Sequence, residues 1–127
     1  MFSVGDVVEI FAPQAGHKKY HVCICVNTGA AHQFLYLNSD PNFDGTIAFD
    51  CEKIPCIPAS KTGKTVFTFA ILPRYNDRQL KLYKAKKLGV LDAAVAKDVL
   101  AFVATVKTLT AVDRALVSAA LAAIIAG

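Results

Sequence analysis

His17, Lys18, Lys19 and His21 fall within five residues of one another. A histidine titrates near neutral pH, and lysines beside it supply fixed positive charge. Together they have the makings of a general acid–base site acting on an anion. Cleavage of an RNA phosphodiester is such a reaction, and it requires no metal. One group takes the proton of the 2′-hydroxyl, another protonates the leaving 5′-oxygen, and cations hold the charged phosphate. His17 or His21 would move the protons, and Lys18 and Lys19 would hold the phosphate.

The charge pattern extends this reading. From Ser39 to Glu52 there are four acidic residues and no basic one. From Lys53 to Lys87 nine cationic residues stand against Asp77 alone, a net +8 over 35 residues. If these cations converge on one face, that face attracts a polyanion. Lys61, Lys64, Arg74 and Arg78 are the expected lining of a single-stranded RNA path, and Tyr75 and Tyr83 lie among them as rings on which bases can stack. Ser60-Lys61-Thr62-Gly63-Lys64-Thr65 has the look of a phosphate loop. Pro58 stands where the triphosphate-binding pattern needs glycine, however, and a strand-like run follows instead of a helix, so nucleotide triphosphate hydrolysis is excluded. Cys23-x-Cys25 and Cys51-x₄-Cys56 fit zinc spacing poorly and read as small buried apolar residues, with no metal and no cofactor implied.

These residues must be positioned by two different kinds of element. Up to Asn76 the chain reads as short strands: Val7–Phe11, Tyr20–Val26, Gln33–Asn38, Thr46–Asp50, Glu52–Ile57 and Thr65–Leu72. Turn signals at Asn27-Thr28-Gly29, Asp44-Gly45 and Thr62-Gly63 separate them. That many short strands in so little chain imply a small barrel or a strongly bent sheet over about residues 4–76. A basic segment, 77–91, follows as a short helix or irregular stretch. Asp92 is the expected cap of a helix over 92–107, with Val95, Val99, Phe102, Val103 and Val106 at helical spacing. Thr110 and Asp113 open a second helix, 110–126, that is apolar nearly all round and therefore either covers the sheet or meets a second copy of the chain. The fold class expected is α+β, in one domain.

With 127 residues, 54% apolar and 19% charged, the chain can bury a sizeable core and is not disordered. The opening MFSVGDVVEIF lacks a basic leader, and the apolar charge-free run at the end, Ala115 to Gly127, is too short to span a membrane. A soluble cytoplasmic protein with reduced thiols is the expectation.

The order of segments resembles the MazF/PemK/Kid family of toxin endoribonucleases. Gly5-Asp6-Val7-Val8 is similar to the family's first strand. The loop at Gly16 and the strand YHVCICVN ending at Asn27 are similar to its second. TVFTFAILPRYNDRQL, residues 65 to 80, resembles its strand and P-R-type motif through Arg74, Asp77 and Leu80, and Lys87-Leu88-Gly89 resembles the segment before its closing helix. The resemblance spans about residues 4–107 with motifs spread thinly. It implies an SH3-like barrel, a homodimer, metal-independent cleavage of single-stranded mRNA, and a cognate antitoxin partner. It carries Ser39 into the site as a hydrogen-bond donor. The family's catalytic arginine has no counterpart here; Lys19 stands nearest, and a lysine is a point charge that cannot grip a phosphate bidentately. The family's acid–arginine pair before the P-R motif is also missing, since Phe69 to Ile71 are apolar. The alternative is a non-catalytic SH3-like module that binds a protein partner, as a gyrase poison or regulatory domain would.

Overall fold

The computed structural model describes residues 2–13, 15–42 and 44–127. Alternating apolar residues fold the first half into strands β1 (Asp6–Ala12), β2 (His17–Cys25), β3 (His32–Asn38), β4 (Thr46–Asp50), β5 (Lys64–Thr68) and β6 (Arg74–Tyr75). Helix α1 (Asp77–Leu82), strand β7 (Lys86–Val90) and helices α2 (Ala93–Val103) and α3 (Ala111–Ala126) complete the chain. All seven strands join one antiparallel sheet in the order β4-β5-β3-β2-β1-β7, with β6 pairing the start of β3.

The α+β class is therefore as expected, but the sheet does not close. Its hydrogen-bonded ladder stops at β4 on one side and β7 on the other. The segment expected to form a further strand, Glu52–Ile57, instead begins in a 3₁₀ turn at Cys51–Lys53. Pro55 interrupts the remainder and Pro58 follows it, and without N–H groups they cannot extend a ladder. The sheet nonetheless curls until this segment reaches the opposite edge. A Cβ on Gly89 of β7 would sit 2.9 Å from Cys56 Cβ, so only glycine admits the approach.

One sheet face carries Val7, Val22, Ile24, Leu35, Leu37 and Phe67 against Val95, Val99 and Val103 of α2 and Val117 and Leu121 of α3. Each such side chain, fully buried, contributes about 1.5–3 kcal/mol. The other face carries Val8, Ile10, Cys23 and Phe34, covered by Leu80 of α1. The helix starts follow their caps: Asp92 Oδ2 accepts from Ala94 N at 3.2 Å and Thr110 Oγ1 from Asp113 N at 3.1 Å. Asn76 and Gln79 form a reciprocal capping box on α1 that the sequence reading passed over. Arg114 of α3 donates through Nη1 to Val103 O and through Nη2 to Val106 O at 2.5 Å. It thereby adds donors to two carbonyls where α2 ends, of which Val103 O also accepts from Val106 N at 3.2 Å.

Several boundaries differ from expectation: β2 begins at His17, before Tyr20, and α2 ends at Val103, short of Lys107. The basic segment splits into α1 and β7, and β7 pairs with β1 beside a bulge at Leu88. The strand expected to reach Leu72 ends at Thr68. Cys23 and Cys25 were expected as a buried pair on one face. A bulge between them breaks the alternation, leaving Cys23 buried and Cys25 half-buried. The apolar α3 buries Val117, Ala120 and Leu121 but leaves Val112 and several alanines exposed. No helix of the described residues is long and apolar enough to cross a membrane.

Candidate functional site

A cavity of about 260 Å³ opens where β2 begins. His17, Lys18, Lys19 and Tyr20 line it from β2, Leu37, Asn38 and Ser39 from the end of β3, Ser60 from the loop before β5, and Lys64 and Thr65 from β5. Alternation puts Lys18 and Tyr20 on one face of β2 and His17 and Lys19 on the other. The cavity wraps the strand's end and so draws on both. The β3–β5 register, Asn38 opposite Val66, brings Ser39 and Lys64 to the same end of the sheet.

His17 Nδ1 donates to the Lys18 carbonyl at 2.9 Å, which leaves Nε2 as the ring's lone-pair nitrogen. Lys18 pairs with Glu9 at 3.0 Å. Lys64 pairs with Asp50 at 2.5 Å; the ammonium holds that carboxyl below its usual range, and the carboxylate raises the lysine. Lys19 and Lys61 enter no ion pair among the described residues, so Lys19 is the lining cation whose charge is not already matched. The loop before β5 is strapped across the opening. Thr62 Oγ1 donates to Ser39 O at 2.5 Å and Ser60 Oγ to Lys64 O at 2.8 Å.

Behind this wall sits Cys51, which the sequence reading had grouped with inert buried thiols. Its Sγ accepts from Ser60 N at 3.5 Å and Thr65 Oγ1 at 3.8 Å. These donors, the Ser60 N–H foremost, hold the thiol below its ordinary pKa. Cys23 is the opposite case, pushed up to about 11 by burial.

Five of the nine sequence-predicted residues therefore meet in one cavity: His17, Lys18, Lys19, Ser39 and Lys64. Lys61 is exposed in the strapping loop. Arg74 and Arg78 lie elsewhere. Arg74 opposes Gln33, whose amide oxygen, turned toward it, accepts from Nε and Nη2 at 3.0 and 3.1 Å. Gln33 is five residues along β3 from Asn38, about 17 Å at the rise of a strand.

His21 does not belong to the site. It is fully buried on the face away from the large core, and among the described residues neither ring nitrogen makes a hydrogen bond of good geometry. Its ring stacks on Tyr36 with centroids 4.8 Å apart and meets Phe34 and Tyr75 edge-on. Burial lowers its pKa to about 4, with backbone groups of Lys19 and Val8 offsetting part of the effect. It is an uncharged ring at neutral pH, out of reach of solvent.

His32, which the sequence reading passed over, is tied on both nitrogens. Nδ1 accepts from Asn27 N at 2.9 Å, so Nε2 carries the proton and donates to Asp77 at 2.6 Å. With no open lone pair it fastens α1 to β3 and cannot act as a base. Among the described residues no group of His, Cys, Asp or Glu is arranged to hold a metal ion. Comparison with family models, with curated proteins and with solved structures finds no match to this chain.

Proposed function

We propose that the chain is a toxin-like, metal-independent endoribonuclease of the MazF/PemK/Kid kind, acting on single-stranded RNA at the cavity where β2 begins. One observation carries the reading: His17, Lys18, Lys19, Ser39 and Lys64, chosen by residue type and by resemblance, line a single cavity. In this reading His17 Nε2 accepts the proton of the 2′-hydroxyl. The 2′-oxygen attacks the neighbouring phosphorus and the bond to the 5′-oxygen breaks. The leaving oxygen takes a proton from the Lys19 ammonium, so that a 2′,3′-cyclic phosphate and a 5′-hydroxyl result. Lys19 also offsets the charge that builds on the phosphate, and Ser39 donates a hydrogen bond to it. The curled sheet would be a divergent SH3-like barrel, and a cytoplasmic homodimer with a cognate antitoxin completes the proposal.

The non-catalytic module remains the second reading, favoured by one fact. Glu9 and Asp50 already neutralise Lys18 and Lys64, leaving a site with one histidine and one unmatched lysine. Induction in bacteria, with total RNA mapped for new 5′ ends, separates the two. The ribonuclease gives discrete cuts that vanish in His17→Ala and Lys19→Ala. Growth arrest with intact RNA selects the binding module, and purified protein that leaves mixed-sequence RNA whole across a wide pH range refutes cleavage.

A further inference from the structure

The sheet face opposite α2 and α3 is only partly covered. Leu80 of α1 packs on Phe34, Cys23, Val8 and Ile10, and among the described residues no helix packs on the strip beyond them. The register sets out what stands there. Across the strands one row runs Val8, His21, Tyr36, Thr68, Thr46, all on the same side. His21 backs one face of the Tyr36 ring at 4.8 Å and 25°. The other face looks toward β5 and β4, where Thr68 and Thr46 are both small and half-exposed. A rigid, half-buried ring thus stands as a wall beside a low shelf.

The next row on this face lies two residues along each strand, about 6–7 Å away. There Lys19 leads the row from β2, with Asn38 on β3, and both reach the cavity. That spacing is comparable to the reach from a phosphate, across its sugar, to the base it carries. The wall is also uncharged. Burial pushes the Tyr36 phenol up and the His21 imidazole down, so both rings are neutral at physiological pH.

We propose that the Tyr36 ring and the Thr68–Thr46 shelf form a stacking subsite for the base of a single-stranded nucleic acid whose phosphate sits at Lys19. The inference rests on the reading of the cavity as a phosphate site and adds to it the seat of the adjoining base. It also gives His21 a purpose as the back of the platform. An apolar residue of other shape would fill the space, but a flat neutral ring holds Tyr36 upright.

The test is binding, read apart from cleavage. The probe is a 2′-O-methyl oligouridine heptamer carrying one 2-aminopurine, which lacks the attacking hydroxyl and loses fluorescence on stacking. The expected result is quenching by the full chain, with about tenfold weaker binding and loss of quenching in Tyr36→Leu, both recovered in Tyr36→Phe. Lys19→Ala weakens binding but leaves quenching at saturation. If Tyr36→Leu fails to fold, Thr68→Ile decides, since it fills the shelf while leaving the ring in place and is expected to lose quenching likewise. Unchanged quenching in Tyr36→Leu or in Thr68→Ile, with Lys19→Ala still weakened, overturns the subsite and leaves the phosphate reading intact. No binding by the unaltered chain overturns both.

Discussion

His21 allows the sharpest quantitative test of the packing described above. Its folded-state pKa is about 4 against 6.5 for a free histidine, with burial the main cause. Between these values the unfolded chain binds a proton that the folded chain refuses, so stability rises with pH across this window. The contribution is fully present above about pH 6.5 and is lost as the pH falls toward 4. At 1.36 kcal/mol per unit, the separation amounts to about 3 kcal/mol. His21→Phe removes the titrating group while keeping a ring beside Tyr36. It also removes two unpaired buried nitrogens, worth about 1–3 kcal/mol at neutral pH, against an overpacking cost of similar size. Urea unfolding followed by circular dichroism at several pH values between 4 and 7.5 measures both chains. The difference in unfolding free energy, variant minus wild type, is expected to grow by about 3 kcal/mol as the pH falls through the window. A constant difference would refute the reasoning, because another group would then carry the acid sensitivity.

Three further outcomes follow from other parts of the molecule. Arg114→Ala takes the guanidinium from the Val103 and Val106 carbonyls, the first of which keeps the Val106 N–H, and is expected to cost about 1–3 kcal/mol, seen as a lowered Tm. Arg114→Lys recovers little, since one ammonium cannot span both carbonyls as the guanidinium fork does. Gly89→Ala drives a Cβ against Cys56 and is expected to destabilise by about 1–3 kcal/mol; pairing it with Cys56→Gly recovers most of the loss in a double-mutant cycle by chemical denaturation. Iodoacetamide labelling followed by peptide mass mapping is expected to modify Cys51 first, with a midpoint below that of a free thiol, and Cys23 last. Equal rates at the two positions would contradict the donor set around Cys51.

How much of this was legible in the sequence varied with the range of the cause. Local chemistry was readable: Asp92 and Thr110 cap the helices they precede, and the alternation of Val7–Phe11 and Gln33–Asn38 places those strands within a residue or so. His17, Lys18 and Lys19 stand together by adjacency, whereas Ser39, offered only by the resemblance, reaches the same cavity because β3 pairs with β2. What failed depended on distant partners. β7 reads as a basic run and becomes a strand only because β1 offers it an edge. His21 looks like a surface histidine beside lysines, and its burial comes from Phe34, Tyr36 and Tyr75, which lie 13 to 54 positions later. Arg74 was grouped with Lys64 by charge, whereas β3 holds them at opposite ends.

The order of strands also bears on how the molecule comes into being. β1 finds β2 at once, but its other neighbour, β7, is synthesised only at residues 86–90. Until then the first strand is an open edge. Even when Val90 has been added, the face bearing Val22, Leu35 and Phe67 waits for α2 and α3, another 36 residues to Ala126. At about 5–20 residues per second, translation leaves that face uncovered for about 2–7 s. During this interval the nascent chain presents its largest apolar surface to solvent, to chaperones and to its own copies on neighbouring ribosomes. The C-terminal helical hairpin, pinned by Arg114, is therefore the clock on folding: its arrival, and not completion of the sheet, ends the period of greatest risk of aggregation.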